Sequence, residues 1–302
     1  MIENPKANRP MIGILWMLAT TLCFVFVNII VHWLGSSVPV AQSAFVRFAW
    51  GLIFFAPALT RILRRSYTRE VWVLFGLRGV LHAVAVVLWF YAMTHIAIAD
   101  VTAINYLNPI VVTVGGALLL GEGLAWRRIS AIIVALIGAL IILRPGIRTI
   151  EPGHIAQLGA ALFFGAAYLS AKRLTDFVPA STVVAMMTLV VTLALAPLAL
   201  WEWQPITLSA TLWLGAVAVF ATAGHYAMTR AFAAAPVSVT QPVIFLQLVW
   251  AAIAGWTIFG EVPDPYVILG GGIIIASVSY MTWREAQIKR RPITPPPPAT
   301  KL

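Results

Sequence analysis

Charged side chains are scarce in this chain. Only 10% of its 302 residues are Asp, Glu, Lys or Arg, whereas 61% are hydrophobic and the mean hydropathy is +0.93. Water-soluble domains carry about 25% charged and about 45–50% apolar residues. So few charges cannot keep so much apolar surface in water. The composition therefore excludes an ordinary soluble enzyme and indicates a polytopic membrane protein.

Cysteine and nucleotide-binding motifs are nearly absent as well. Cys23 is the single cysteine, so neither an intramolecular disulfide nor a cysteine metal cluster is possible. The sequence Gly-x-x-x-x-Gly-Lys-Ser/Thr does not occur, which argues against ATP hydrolysis by this chain. The net charge of +10 does not indicate nucleic-acid binding, because the basic residues form short clusters between apolar runs. We expect no cofactor and no metal.

The apolar residues form ten runs that predict membrane-spanning helices, each of which needs roughly 20 residues. Helices are expected because isolated strands leave backbone groups unsatisfied in lipid. The fifth run is short, so its helix is expected to include flanking residues at the membrane interfaces. The predicted spans are 11–34, 40–59, 72–93, 101–120, 129–143, 155–174, 181–200, 212–232, 237–259 and 267–283.

The basic residues predict the orientation. With the N-terminus in the cytoplasm, 16 of the 20 Lys and Arg lie in cytoplasmic segments, Arg144 and Arg148 lie outside, and Arg47 and Arg78 lie within spans. Cytoplasmic loops typically carry this excess, and an odd number of spans would destroy it. We expect a multi-pass protein of the bacterial inner membrane with a cytoplasmic N-terminus (1–10) and a basic, proline-rich, disordered cytoplasmic tail (284–302).

Short matches between the two halves predict a duplication, with repeats at 11–147 and 148–283. Each half contains five spans, an odd number, so the second half enters the membrane from the opposite side. Inverted repeats of this kind are typical of secondary transporters with alternating access. The expected fold is all-α, with ten transmembrane helices as two inverted five-helix repeats around a central cavity. Three of the matches, at offsets of 135 to 140 residues, are Ala56-Pro57 with Ala196-Pro197, Tyr91–Thr94 with Tyr226–Thr229, and Gly121-Glu122 with Gly260-Glu261.

Arg47-Phe48 lies in the second span, Gly121-Glu122 at the end of the fourth span and Gly260-Glu261 at the end of the ninth. Together with these residues, the tandem five-helix units resemble the drug/metabolite transporter superfamily. Its EamA-type ten-helix exporters match best, and exporters of aromatic and neutral amino acids (YddG type) look closest. The resemblance covers 11–283. It implies a cavity lined mainly by spans 1, 3, 4, 6, 8 and 9, and export of small metabolites. Arg47 has no counterpart in the second half, where Met187 stands, so symmetry assigns it no role.

Polar side chains at membrane depth are costly and mark candidate transport pathways. In the third span, Arg78, His82 and Trp89 share one helical face. His82 is expected to hydrogen-bond a polar substrate and Trp89 to offer its ring, although His82 alternatively packs between helices. Arg78 either captures a substrate carboxylate or, like Arg47, extends its side chain to the membrane interface.

Further candidates lie in the other spans. Asn105, Tyr106 and Asn108 precede Pro109, which frees a carbonyl one turn back and opens backbone groups to a substrate. Alternatively the amides join helices to each other. Glu122 and Glu261 close spans at opposite membrane faces, which favours structural or gating roles. The remaining candidate substrate-binding residues are Asn28, Tyr168, His225, Gln247 and Trp250.

All ten acidic residues fall in predicted loops or at span ends, which favours facilitated diffusion over ion coupling. Proton coupling through His82 or His225 is the alternative. The sequence predicts a transporter that exports amino acids or similar small metabolites, or else a proton-coupled multidrug, metabolite or nucleoside-type (S-adenosylmethionine-like) transporter. An intramembrane enzyme would need a nucleophile–base pair or clustered metal ligands, and nothing suggests a sensor. The expected partners are a small-molecule substrate and membrane lipids, in a monomer or an oligomer.

Overall fold

The long apolar runs of the sequence form α-helices. The computed structural model describes residues 10–35, 37–108, 110–112, 114–115, 126–147, 149–174, 176–234, 243 and 245–289. Pro109, Gly121, Glu122, Arg148 and the tail beyond 289 lie outside these residues. The helices are α1 (Pro10–Leu34), α2 (Val40–Leu63), α3 (Arg69–His95), α4 (Ile98–Asn105), α5 (Trp126–Leu143), α6 (Pro152–Leu174), α7 (Ala180–Trp201), α8 (Leu208–Ala234), α9 (Leu246–Phe259) and α10 (Pro265–Lys289).

Six helices, α1, α2, α3, α6, α7 and α8, are long and apolar enough to cross a membrane. Shorter apolar helical segments cover 98–112, 129–143, 246–259 and 265–280. The prediction of an all-helical membrane protein is confirmed. The count of ten crossings and the inverted repeat stay predictions.

Several helices continue past the predicted apolar runs. α2 runs on to Leu63, and α3 begins at Arg69, three residues before its predicted span. Hydropathy marks only the part of a helix that lies in lipid, whereas backbone hydrogen bonds continue until a cap ends them. At the start of α3 that cap is Thr68, whose side-chain oxygen accepts a hydrogen bond from the N–H of Val71 (3.4 Å).

α4 differs most from the predicted spans. A span over 101–120 with a break near Pro109 was expected, and α4 begins at Ile98 and ends at Asn105. Residues 106–107 form a turn, and residues 108, 110–112 and 114–115 are helical again. In an α-helix the N–H of residue 109 would donate to the carbonyl of residue 105. Pro109 has no N–H, and its ring crowds that same carbonyl. The helix therefore ends four residues before the proline.

Each major helix pair takes one helix from each half of the chain. α1 packs along α8, α2 along α7, α3 along α6 and α5 along α10. α4 contacts α6 and α9, while α1 also contacts α9. The core is consequently built between the two halves rather than within either one.

The α5–α10 pair packs backbone against backbone. A Cβ atom added at Gly138 would collide with the carbonyl oxygen of Gly270, and one added at Gly270 with that of Gly138. The hydroxyl of Ser277 on α10 also donates to the carbonyl of Ala131 on α5 (2.5 Å). Small residues let helices approach this closely in membrane proteins.

Candidate functional site

Arg78 and His82 lie one turn apart on α3 and face the interior of the bundle, each only 8% exposed. Nη2 of Arg78 donates to the sulfur of Met187 on α7 (3.4 Å), which is a weak acceptor. Among the described residues, Nε and Nη1 of Arg78 have no hydrogen-bond partner. The guanidinium is buried, so Arg78 does not extend to the interface.

Aromatic rings from two other helices enclose His82. Its ring meets those of Phe48 on α2 and Phe164 on α6 edge-on, at centroid distances of 6.0 and 5.0 Å. Nδ1 of His82 finds no partner in the described part of the chain. Phe164 also stacks on Tyr168, one turn further along α6 (6.3 Å). Neither Phe48 nor Phe164 was predicted as a site residue, because a phenylalanine in an apolar span gives no polar signal.

Three polar side chains lie deep among the helices yet keep accessible surface. Tyr168 is 40% exposed, and Arg47 and His225 are half-buried, although protein surrounds all three. Side chains that line an internal space are expected to lie deep in the protein and still to have accessible surface. We call the following set the central site: Arg47, Phe48, Arg78, His82, Phe164, Tyr168 and His225.

Electrostatic interactions connect the polar members of the central site. His82 and His225 each interact with both Arg47 and Arg78, and Arg78 interacts with Tyr168. The central site draws its residues from α2, α3, α6 and α8. The resemblance implied walls from spans 3, 6 and 8, but it did not include span 2, which contributes Arg47 and Phe48.

Trp89 on α3 and Gln247 and Trp250 on α9 are further aromatic and amide candidates of the sequence. The half-buried ring of Trp89 meets that of Phe90 edge-on (5.2 Å) and packs against the main apolar cluster. Gln247 and Trp250 are half-buried on α9, and the indole N–H of Trp250 has no partner among the described residues. Their contact with substrate stays a prediction.

The predicted amides of α4 bond to neighbouring side chains. The side-chain oxygen of Asn105 accepts hydrogen bonds from Asn108 (3.1 Å) and from Gln157 on α6 (3.4 Å). Asn28 on α1 donates to Thr102 on α4 (3.4 Å). These bonds favour the alternative in which amides join helices. Gln157 was missed, although a polar residue in an apolar run was a visible signal.

Tyr106 also takes part in helix packing. Its hydroxyl donates to the carbonyl of Phe245 (3.3 Å), and the two rings meet edge-on at 5.1 Å. The residue is buried within the apolar cluster between α4, α5 and α10. A substrate role for Tyr106 rests on the sequence pattern alone.

Asp100 and His154 form a buried hydrogen-bonded pair between α4 and α6. Nε2 of His154 lies 3.0 Å from a carboxylate oxygen of Asp100, and the two side chains are 1% and 3% exposed. Nδ1 of His154 accepts the backbone N–H of Glu151 (3.2 Å), at the start of α6. Asp100 was predicted at a span end, but His154 was not among the predicted site residues, because the predicted sixth span begins one residue later.

Two more polar pairs join the halves near Asp100. Glu261 contacts His32 at the end of α1 (3.1 Å) and accepts the N–H of Ile98 at the start of α4 (3.3 Å). Arg144, after α5, pairs with Asp264, before α10. We call this end of the bundle the acidic end. A cavity of about 420 Å³ there is lined by Ala97, Ala99, Asp100, Arg144, Ile147, Ala252, Glu261, Val262, Pro263 and Asp264.

In the described residues, no group of three or more His, Cys, Asp or Glu side chains is placed to hold a metal ion. The donors of the central site are guanidinium, imidazole and phenol groups. They are suited to accept and orient an organic molecule by hydrogen bonds and ring contacts.

The sequence is similar to those of known transporters. A family model described as the EamA-like transporter family matches residues 11–144 and 151–283. The chain is 30% identical to a riboflavin transporter of Vibrio cholerae, covering 94% of this chain and 97% of that protein. It is 28% identical to a pseudopaline exporter of Pseudomonas aeruginosa (88% and 94% covered) and 24% identical to an S-adenosylmethionine uptake transporter of Rickettsia prowazekii (90% and 93% covered).

A solved crystal structure has a similar fold. Its sequence is 18% identical to this chain, and the superposition covers 94% of this chain and 98% of that one with a TM-score of 0.57. At this level of identity the likeness concerns the fold alone.

Proposed function

The chain belongs to the EamA-like transporter family and is a small-molecule transporter, and we propose that amino acids or related small metabolites are its substrates. The predicted drug/metabolite superfamily and the multi-pass membrane location are confirmed. The relatives above are named as transporters, which is consistent with a protein that is not an enzyme. They are named for riboflavin, pseudopaline and S-adenosylmethionine, so the nearer likeness to YddG-type amino-acid exporters is not specifically supported.

The central site is the observation that carries this proposal. Arg78 and His82 place unpartnered N–H or nitrogen atoms deep in an apolar bundle, beside the rings of Phe48 and Phe164. Buried polar groups without partners are costly, and intramembrane ionisable residues mark transport pathways. A substrate that satisfies these groups and covers the rings would compensate that cost.

The helix pairs support alternating access by two inverted repeats, which we propose for 11–147 and 148–283. If α1–α5 correspond to α6–α10, exchanging the halves converts the α1–α8 pair into the α6–α3 pair. The same exchange maps α2–α7 and α5–α10 onto themselves. All four pairs occur, and the family matches at 11–144 and 151–283 agree with two such units.

We further propose ten spans in the bacterial inner membrane, both termini in the cytoplasm, and export by facilitated diffusion. No predicted span has a carboxylate near its centre, which supports uniport. Proton coupling is the alternative mechanism, for which the Asp100–His154 pair joins His82 and His225 as a candidate.

Riboflavin is the second candidate substrate. Relatives at 30% identity that cover nearly the whole chain are riboflavin transporters. A flat ring system with carbonyl acceptors matches the donors and aromatic rings of the central site. The aromatic rings of the central site suit such a ring system as well as they suit an aromatic amino acid.

A substrate panel in proteoliposomes tests the proposal. The purified full chain is reconstituted, and counterflow of labelled phenylalanine, tryptophan, riboflavin and S-adenosylmethionine is measured without a pH gradient and then with one imposed. Counterflow of an amino acid without a gradient is the expected result. Counterflow of riboflavin alone would replace the leading substrate with the second candidate, and strict dependence on the gradient would overturn uniport. No flux of any compound would contradict the proposed substrates.

A further inference from the structure

We propose that the central site recognises its substrate through a carboxylate, held by Arg78 with Arg47 as the second positive charge. This inference rests on the proposed function, because it names the substrate group that the transport site selects. It goes further by making the acid, and not the ammonium of an amino acid, the group that decides binding.

Arg78 has the unused donors that a carboxylate needs. Its only hydrogen bond in the described residues goes to the sulfur of Met187 at 3.4 Å, while Nε and Nη1 have none. Together those two nitrogens carry three unused N–H groups in one plane. A guanidinium presents its donors in a rigid fork that matches the two oxygens of a carboxylate.

The helices around Arg78 and Arg47 supply no acid to neutralise them. α1, α2, α6, α7, α8 and α9 contain no Asp or Glu. Glu70, in the first turn of α3, pairs with Arg173 at the surface, and Asp100 of α4 pairs with His154. Among the described residues, neither guanidinium is paired with a carboxylate: that of Arg78 is buried, and that of Arg47 is half-buried over the ring of Phe48 (4.0 Å). Buried charges are stable only when they are paired, so the missing anion is expected to arrive with the ligand.

The remaining polar groups of the site also favour an anion. Both arginines interact electrostatically with His82 and His225, and none of these four side chains is acidic. A substrate cation without an acid group would meet two positively charged guanidiniums and no carboxylate from these side chains. Cations that carry no carboxylate are therefore disfavoured.

The rings of the site define the rest of the ligand. Phe48 and Phe164 flank His82, and Tyr168 stacks on Phe164 with 40% of its surface accessible. Phe48 and Phe164 are themselves buried (2% and 9% exposed), so an apolar or aromatic body would lie against the accessible face of Tyr168 while its acid reaches Arg78. The inferred class is a carboxylic acid with an aromatic or bulky apolar body, whether or not it carries an amino group.

Three compounds with the same benzyl group but different charge test the inference. N-acetylphenylalanine is an anion, phenylalanine a zwitterion and phenylalaninamide a cation. Their binding to the purified full chain is measured as the shift in thermal unfolding temperature, and their ability to inhibit counterflow is measured in proteoliposomes. We expect both acids to bind, and the amide to bind at least about tenfold more weakly.

The variants Arg78→Gln and Arg78→Lys identify the responsible group, with the half-exposed Arg173→Gln as a control that removes one arginine elsewhere. Arg78→Gln is expected to lose about tenfold or more in affinity for both acids and to abolish the preference over the amide. Arg78→Lys keeps the charge and is expected to retain part of the preference. If Arg78→Gln is not monodisperse, the role of the acid is tested instead by Arg78→Lys and by binding of the three compounds to the unmodified protein.

Equal binding of acid and amide by the unmodified protein would overturn the inference, as would an unchanged preference in Arg78→Gln. Counterflow of neutral riboflavin without binding of any acid would also overturn it, while leaving transport through the site intact. Failure of the whole panel in counterflow would instead contradict the proposed function. The two failures are therefore distinguishable.

Discussion

His82 shows how a single side chain connects the sequence with the transport proposal. It lies between Phe48 and Phe164 with Nδ1 unpartnered in the described residues. A histidine that served only packing would be expected to have its nitrogens satisfied. The free nitrogen favours a role in binding.

We predict that His82→Ala lowers counterflow by roughly two- to tenfold, because one hydrogen bond to substrate is lost. Trp89→Ala is expected to lower it as well if the indole lines the pathway. The control is Val84→Ala, which truncates an exposed side chain on the same helix. Expression level and monodispersity by gel filtration are compared in all three. Undiminished flux in both His82→Ala and Trp89→Ala would remove α3 from the substrate pathway.

The Asp100–His154 pair gives a second prediction at the scale of residues. Replacing Asp100 with Asn or His154 with Leu weakens or removes a hydrogen bond between two buried polar side chains, which costs about 1–3 kcal/mol. Replacing both with leucine is expected to restore part of the loss. Thermal unfolding in detergent measures the effect.

The half-exposed pair of Glu70 and Arg173 provides the matched control for that prediction. Glu70→Gln is expected to change stability by about 0–1 kcal/mol, because water screens a surface ion pair. Equal effects of Asp100→Asn and Glu70→Gln would show that the buried pair does not hold α4 to α6.

At the scale of elements, the sequence predicted helices more reliably than their ends. Apolar periodicity identified α3 and α7 to within a few residues, since each is a long run bounded by polar loops. Hydropathy alone did not show where α4 ends, whereas Pro109 indicated a freed carbonyl one turn back, at Asn105. Hydropathy averages over a window and cannot register the loss of one backbone donor.

The α5–α10 contact yields a prediction about elements. Gly138→Val is expected to separate the two helices and lower the unfolding temperature, because the added side chain meets the backbone of Gly270. Overpacking of this kind typically costs about 1–3 kcal/mol. Gly272→Val is the control, since a Cβ at Gly272 meets nothing within 4 Å. Equal thermal stability of the two variants would show that close approach at Gly138 is unimportant.

At the scale of the whole molecule, contacts between the halves determine what must change during transport. His32–Glu261, Arg144–Asp264 and Asp100–His154 all join one half to the other at the acidic end. Under alternating access, opening this end requires these pairs to separate. All three pairs are formed in this structure.

The sequence predicted much less of this tertiary arrangement than of the helices. Asp100 and His154 are 54 residues apart in the chain, and no periodicity brings them together. Arg78 and His82 were predictable, because both lie on one face of one helix. Phe48 and Phe164 were not, because an apolar side chain acquires its role only from the neighbour it contacts.

Accessibility of the segment between the halves tests the central claim most directly. A single cysteine at Ile150, in a Cys23→Ser background, is treated in intact cells with a membrane-impermeant maleimide, and a cysteine at Arg65 serves as the control for the opposite face. If the halves cross the membrane in opposite senses, Ile150→Cys reacts in intact cells and Arg65→Cys reacts only after permeabilisation. Reaction of Ile150→Cys only after permeabilisation would contradict the inverted arrangement, and with it a transport site reached from alternate sides.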